Sequence, residues 1–281
     1  MKVRRKKRTE ERKIPEIAFE KYIRSLHLHP ILEKAALYTL TLPGKRLRPN
    51  FLMASAKDFK VDMEMTAKAA VAIEMMHAAS LIHDDLPAVD NDDYRRGKPS
   101  NHVIFGEDVA IMAGDLLFSL ALHLCDTLGK SVAEAFSKTL VELVDGETRD
   151  IIMSKSSGTV DEIVEMYRKK TGALFAFAFS FGPRMTSGDV QKYEEAGYNF
   201  GVSFQIYDDI LDLTSTFEEI GKTPKKDVTQ HKATLVQKIG IEDSRKFADT
   251  LYRKALQNLK DSAELLKEVK KSEKLLKEDV N

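Results

Sequence analysis

Apolar residues recur at three- and four-residue spacing over long stretches: Thr66 to His83, Val109 to Leu128, Ser131 to Met153, Val160 to Phe181 and Val190 to Asp212. That spacing is the period of a helix with a face turned inward. Glycine and proline gather elsewhere, at Pro43-Gly44, Pro87, Gly97 to Pro99, Gly182-Pro183 and Gly221 to Pro224. Val, Ile and Thr never alternate in short runs bounded by turn residues, so the pattern predicts no strands. In Ala173-Leu174-Phe175-Ala176-Phe177-Ala178-Phe179 every position is apolar, and such a helix belongs inside a bundle. The segment from Asp261 onward mixes Lys, Glu and Leu and reads as a charged amphipathic helix that closes the bundle or frays. No linker or fixed repeat divides the chain. A single all-helical domain over residues 1–281 is expected, with a frayed basic segment at 1–13.

Composition narrows the function classes. Lys plus Arg and Asp plus Glu both number 44, so no global field points to nucleic acid or to an anionic membrane. The single cysteine, Cys125, excludes an intrachain disulfide and a cysteine-based zinc site, and fits a reducing compartment. No run reaches the roughly 18–20 uninterrupted apolar residues of a membrane span. The basic start, Met1 to Arg8, is followed by no apolar stretch, so a secretory signal is not expected. The chain reads as cytoplasmic, with no stable membrane insertion.

Two aspartate clusters carry the candidate chemistry. The first, His83-Asp84-Asp85-Leu86-Pro87-Ala88-Val89-Asp90-Asn91-Asp92-Asp93, follows the apolar stretch Ala78 to Ile82. Carboxylates crowded at the C-terminal end of a buried helix repel one another and meet the unfavourable end of its dipole. A compensating cation is implied. Pro87 stops regular helix, so Asp90 must return toward Asp84 through a loop. The second cluster is Asp208-Asp209-Ile210-Leu211-Asp212, where the spacing places Asp208 and Asp212 on one helix face among apolar neighbours. Hard oxygen ligands without Cys or His suit magnesium, which takes few carboxylates and completes its shell with water and phosphate oxygens. A phosphorylated substrate follows from that. Cations available to face it are Lys45, Arg46 and Arg48, Arg95-Arg96, Lys169-Lys170, Lys222 and Lys232.

In this order the motifs resemble the trans-isoprenyl diphosphate synthases, or polyprenyl synthetases. The resemblance rests on Asp84-Asp85-Leu86-Pro87-Ala88-Val89-Asp90, Arg95-Arg96-Gly97, Asp208-Asp209-Ile210-Leu211-Asp212, Gly44 to Pro49, Lys170-Thr171, Phe204-Gln205 and Gly221-Lys222. It implies the isoprenoid synthase fold, a bundle of roughly ten or more helices around a deep central cavity. It implies a homodimer, and magnesium held by Asp84, Asp85, Asp90, Asp208, Asp209 and Asp212, directly or through water. Three ions per site with substrate bound, replaceable by manganese, are part of that expectation. Arg95, Lys170, Lys222 and Lys232 would neutralise the departing diphosphate. Lys45, Arg48, His77 and Arg96 would bind isopentenyl diphosphate, and Thr171 and Gln205 would present oxygen dipoles to the cationic carbon chain. The chain departs from the family pattern at Pro43, where a glycine is common, and at Glu147, where glutamine is common.

The resemblance also places product length on the helix before Asp84. Ala79 stands where farnesyl-making relatives of this type carry an aromatic ring. With Ser80 beside it and Met76 and Met75 deeper, a methyl at Ala79 leaves room for a twenty-carbon product, geranylgeranyl diphosphate. The alternatives are a farnesyl diphosphate synthase and a non-catalytic subunit of a heteromeric synthase. A terpene cyclase would not need Lys45, Arg48, His77 and Arg96, and a regulatory subunit would be expected to lose one aspartate cluster.

Overall fold

The computed structural model describes residues 13–156, 158–214 and 232–277. Helix α1 spans Lys13–Arg24, α2 Pro30–Thr41, α3 Leu47–Asp58 and α4 Met63–Asp84. After a short ribbon come α5 (Asn101–Phe105), α6 (Glu107–Asp126), α7 (Lys130–Met153) and α8 (Val160–Tyr167). A π-helical turn, Arg168–Gly172, leads into α9 (Ala173–Thr186) and then α10 (Val190–Thr214). The chain continues with α11 (Leu235–Ile239), α12 (Ile241–Asn258) and α13 (Ala263–Lys277). The predicted N-terminal basic segment and Lys222 lie outside the described residues.

Local chemistry explains several boundaries. Pro30 opens α2, where its missing N–H costs nothing. The Asp62 carboxylate accepts from the Glu64 and Met65 N–H groups at 2.8 and 3.1 Å and starts α4. Thr159 and Glu162 form a reciprocal capping box on α8.

Helix α9 is the buried centre that its sequence predicts: every residue from Ala173 to Pro183 is buried. It packs against α3, α7 and α10. Phe51 of α3 meets Phe179 and Phe200 with ring centroids 5.3 and 5.1 Å apart, both edge-on, and Phe175 closes the cluster against Phe200 at 5.0 Å. Pro183 sits inside α9 and cannot donate to the carbonyl one turn back. The Ser55 hydroxyl donates to that carbonyl, Phe179 O, at 2.7 Å and accepts from Gly182 N–H at 3.0 Å. A buried acceptor is thereby satisfied from another helix.

The charged C-terminal segment closes the bundle. Asp58, at the end of α3, caps the first N–H groups of α13 (Glu264 and Leu265, 2.9 and 3.0 Å). Leu265 and Val269 are fully buried.

The expectation of no strands needs one correction. Tyr94–Arg95 and Lys98–Pro99 form a two-residue antiparallel ribbon, with Tyr94 opposite Pro99 and Arg95 opposite Lys98. Arg96 and Gly97 both take positive φ (54° and 71°), the conformation of a tight two-residue hairpin turn. Two residues per strand are too few to leave an alternating pattern in the sequence.

Helix α6 has the length and apolar composition of a membrane span, yet it is packed along α4 and touches α2 and α7. Its outer face keeps Ile111 and Met112 exposed.

Candidate active site

The first aspartate cluster ends α4. Asp84 is partly exposed and Asp85 buried. The chain then folds back as the loop reading requires: Asp90 N–H donates to Asp84 O at 2.9 Å and Asp92 N–H to Asp85 O at 3.1 Å. The hairpin returns Arg95, whose Nε donates to both Asp85 oxygens at 2.9 and 3.1 Å, with a further contact from its terminal nitrogen. Asp92 lies 3.7 Å from the same guanidinium. Burial pulls the Arg95 proton affinity down, but Asp85 outweighs it and the group stays charged. Burial, then the negative charge of Glu147, pushes the Asp84 carboxyl well above its usual range.

The second cluster lies on α10, with Asp208 partly exposed and Asp209 and Asp212 buried. Asp209 is engaged through both oxygens: one accepts from Gln205 Nε2 at 2.9 Å, the other from the Tyr167 hydroxyl. The Thr171 hydroxyl donates to Gln205 Oε1 at 2.6 Å.

The π turn puts Lys170 and Thr171 in register with these groups. A wide turn inserted into helix frequently marks a functional position. It fits because two glycines allow backbone-to-backbone approach. A Cβ at Gly146 of α7 would stand 2.3 Å from Lys170 N, and one at Gly201 of α10 would stand 2.5 Å from Gly172 Cα. Lys170 then ion-pairs with Glu147 at 2.8 Å and with Asp150. Lys232 pairs with Asp90 at 3.0 Å and lies 3.6 Å from Asp150. An alternating ladder runs Glu147–Lys170–Asp150–Lys232–Asp90. Burial opposes charge on Lys170, but Asp150 and Glu147 more than offset it and hold the ammonium well above its usual range. Burial alone would raise Asp150, and the two lysines outweigh it and bring the carboxyl below its usual range.

A second basic pocket forms between α3 and α4. Arg48 donates to His77 Nε2 at 3.3 Å, and its guanidinium lies 4.5 Å over the Phe175 ring. Burial lowers Arg48 to about 10, with Glu74 and Asp208 pulling the other way. The influence of Asp208 places this pocket beside the second aspartate cluster. Burial, with Arg48 and Arg96 nearby, holds the His77 imidazole well below its usual range, so it is neutral. Arg96 rests on Gly44, where a Cβ would stand 2.8 Å from the guanidinium. The Pro43 departure therefore leaves in place the glycine this pocket needs. Lys45 is exposed at its edge.

Ala79, Met75 and Met76 are fully buried, and Ser80 is partly exposed with its hydroxyl donating to His77 O at 3.0 Å. Two clefts of about 380 and 320 Å³ open elsewhere, between α7 and α10 around Glu142 and Tyr198, and of the cations named from sequence only Lys169 lines one of them.

Asp150 and Tyr167 were not named from sequence, and Arg46 and Glu147, which were, take duties the sequence did not assign. Arg46 ion-pairs with buried Glu74 and donates to Leu40 O and Leu42 O at 2.6 and 3.0 Å, bracing the turn before α3. Asp150 sits between two lysines, and Tyr167 donates to Asp209. Glu147 and Asp150, three apart on α7, did carry a signal: an acidic pair on one helix face.

Among the described residues, no three His, Cys, Asp or Glu side chains converge to enclose a metal on their own. The donors present are carboxylate oxygens, and Asp84, Asp90 and Asp208 are the partly exposed members. Sparse hard oxygen donors suit a magnesium ion that shares its shell with phosphate and water.

The polyprenyl synthetase family model matches residues 29–271. A geranylgeranyl diphosphate synthase of Cyanophora paradoxa is 40% identical over 236 residues, covering 79% of both chains. The crystal structure of a geranyltranstransferase from Thermotoga maritima superposes with a TM-score of 0.83 at 38% identity, covering 93% of this chain and 97% of that one. A geranyltransferase of Helicobacter pylori, solved with magnesium and isoprenyl diphosphate, matches with a TM-score of 0.74 at 27% identity over 92% of each chain. Fold, family model and identity across most of the length agree, and the chain belongs to the polyprenyl synthetase family of prenyltransferases.

Proposed function

We propose that the chain adds isopentenyl diphosphate to allylic diphosphates and releases geranylgeranyl diphosphate. The observation that carries the reading is the pair of distinct basic groups beside the aspartates. Lys170, Lys232 and Arg95 form one, already facing carboxylates, and Arg48, His77 and Arg96 form the other. Two anionic substrates need two such sites.

Asp84 and Asp90 from the end of α4, with Asp208 from α10, are the side chains that would hold magnesium. When bound, the metal supplies positive charge against the departing diphosphate. Asp85 and Asp209 have other duties, anchoring Arg95 and Gln205. Lys170 and Lys232 exchange carboxylate partners for diphosphate oxygens and stabilise the charge that develops on them. Arg48, neutral His77, Arg96 and Lys45 hold the second diphosphate, while Thr171 and Gln205 turn oxygen dipoles toward the allylic cation. The released diphosphate takes the proton, as the family implies, and the apolar wall of α9 and α10 excludes water from the cation.

A fifteen-carbon product is the competing reading, favoured by the likeness to the Thermotoga maritima geranyltranstransferase. Ala79 and the likeness to geranylgeranyl synthases favour twenty carbons. Purified protein given magnesium, isopentenyl diphosphate and five-, ten- or fifteen-carbon primers decides. A twenty-carbon diphosphate is expected. A stop at fifteen carbons discards the length assignment, and no product from folded protein discards the enzyme reading.

The protein also works as a homodimer in this proposal. Val141, Val144 and Ile152 stand 67%, 57% and 58% exposed along one side of α7, and Met112 of α6 is 53% exposed. Exposed apolar side chains gathered on neighbouring helices mark an interface. Light scattering should return about twice the 31.7 kDa chain mass, and a monomer mass would remove the dimer.

A further inference from the structure

One buried hydroxyl joins three parts of the site that the reaction needs in register. Tyr167, 2% exposed, is the last residue of α8 before the π turn that carries Lys170 and Thr171. Its hydroxyl donates to Asp209 on α10 and accepts from Leu235 N–H at 2.9 Å at the start of α11. Leu235 follows Lys232 by one helix cap, so the same hydroxyl tethers the segment whose lysine pairs with Asp90.

The tether also decides which way Gln205 faces. Asp209 can only accept, so the Gln205 amide must turn its NH2 toward that carboxylate and its oxygen toward Thr171. A chain of donors runs Leu235 N–H to Tyr167, Tyr167 to Asp209, Gln205 to Asp209, and Thr171 to Gln205. Every member is buried or partly buried, so each bond polarises in a low dielectric and loss of one is felt along the chain.

We propose that Tyr167 is a positioning residue for prenyl transfer, acting through Asp209 to set the Gln205–Thr171 pair and to hold the Lys232 segment. The inference rests on the prenyltransferase reading above. Removing the hydroxyl leaves Asp209 short of one donor and Leu235 N–H without its acceptor, while the isopentenyl pocket of Arg48, His77 and Arg96 shares none of these bonds.

The test is Tyr167→Phe, which keeps the ring. Steady-state kinetics should show kcat lower by about ten-fold, with KM for isopentenyl diphosphate within about two-fold of wild type. In a Gln205→Ala background the same substitution should cost clearly less than ten-fold, because only its hold on the Lys232 segment is left to lose. A wild-type kcat, a loss carried by KM alone, or a full ten-fold loss on top of Gln205→Ala overturns the proposal. Circular dichroism confirms that each variant is folded. Should Tyr167→Phe not fold, Tyr167→Met, which fills the site without a donor for Asp209, takes its place. A lowered kcat with a steady isopentenyl KM is expected there too, and an unchanged kcat overturns the proposal. Wild type assayed alongside separates the two ideas. An inactive wild type removes the prenyltransfer reading together with this one, and an active wild type matched by Tyr167→Phe removes only the role of Tyr167.

Discussion

Asp84→Ala should lower kcat by about a thousand-fold while leaving the protein folded and no less stable to heat. The two halves of that result have one cause. Asp84 is held at the end of a buried helix facing Glu147, and burial and that neighbour raise its proton affinity well above the ordinary range. A carboxyl whose pKa is higher folded than unfolded weakens the fold wherever it is ionised, that is, at pH above its raised folded pKa. The penalty fades as pH falls through the folded pKa. Alanine removes the penalty and the function together. Lys170 and Arg95 offset only part of that penalty. Activity and thermal unfolding measured on the same preparation check both halves. An alanine variant within ten-fold of wild-type kcat would show that Asp84 holds no ion.

The second large effect is a change of product rather than of rate. Ala79→Phe should shift the main product from twenty carbons to fifteen, because a benzyl group then fills the space into which the fourth isoprene unit extends. Ala79 has no exposure, and Met75 and Met76 one turn deeper have none either. The added ring must therefore take its room from the path of the growing chain or strain its neighbours. Strain of that kind costs about 1–3 kcal/mol, so some loss of thermal stability is expected alongside the switch. Chromatography of the dephosphorylated products reads the outcome. A twenty-carbon product from the variant would move the floor of the pocket away from this helix face.

The two experiments probe residues of different legibility. The helices were written in the sequence because apolar spacing is a local property: α4, α7 and α10 need only their own residues to declare an inward face. The two aspartate clusters were legible for a similar reason, since carboxylates beside apolar helix demand a cation wherever that helix is packed. Even the return of Asp90 toward Asp84 followed from Pro87 and was found as a backbone hydrogen bond.

Side-chain duties within the clusters were a different matter. Six aspartates of equal appearance separate, once folded, into partly exposed Asp84, Asp90 and Asp208 and buried Asp85, Asp209 and Asp212. Nothing in their spacing makes that division. It comes from partners on other elements: Arg95 swung back by a hairpin too short to leave a pattern, and Tyr167 lying 42 residues from Asp209. The π turn that aligns Lys170 and Thr171 depends on glycines in two other helices. Pro183 stays inside α9 because of a serine 124 residues from the carbonyl it rescues.

By itself, then, the sequence determined the all-helical class, the inward faces, the two acidic clusters and the basic segments that answer them. Each depends on residues within a turn or two of one another. Only the tertiary structure decided which carboxylates stay partly exposed, which lysines share Asp150 and which way Gln205 points. Hydrogen bonds and ion pairs between distant residues exist only after the helices have packed, and burial sets their strength.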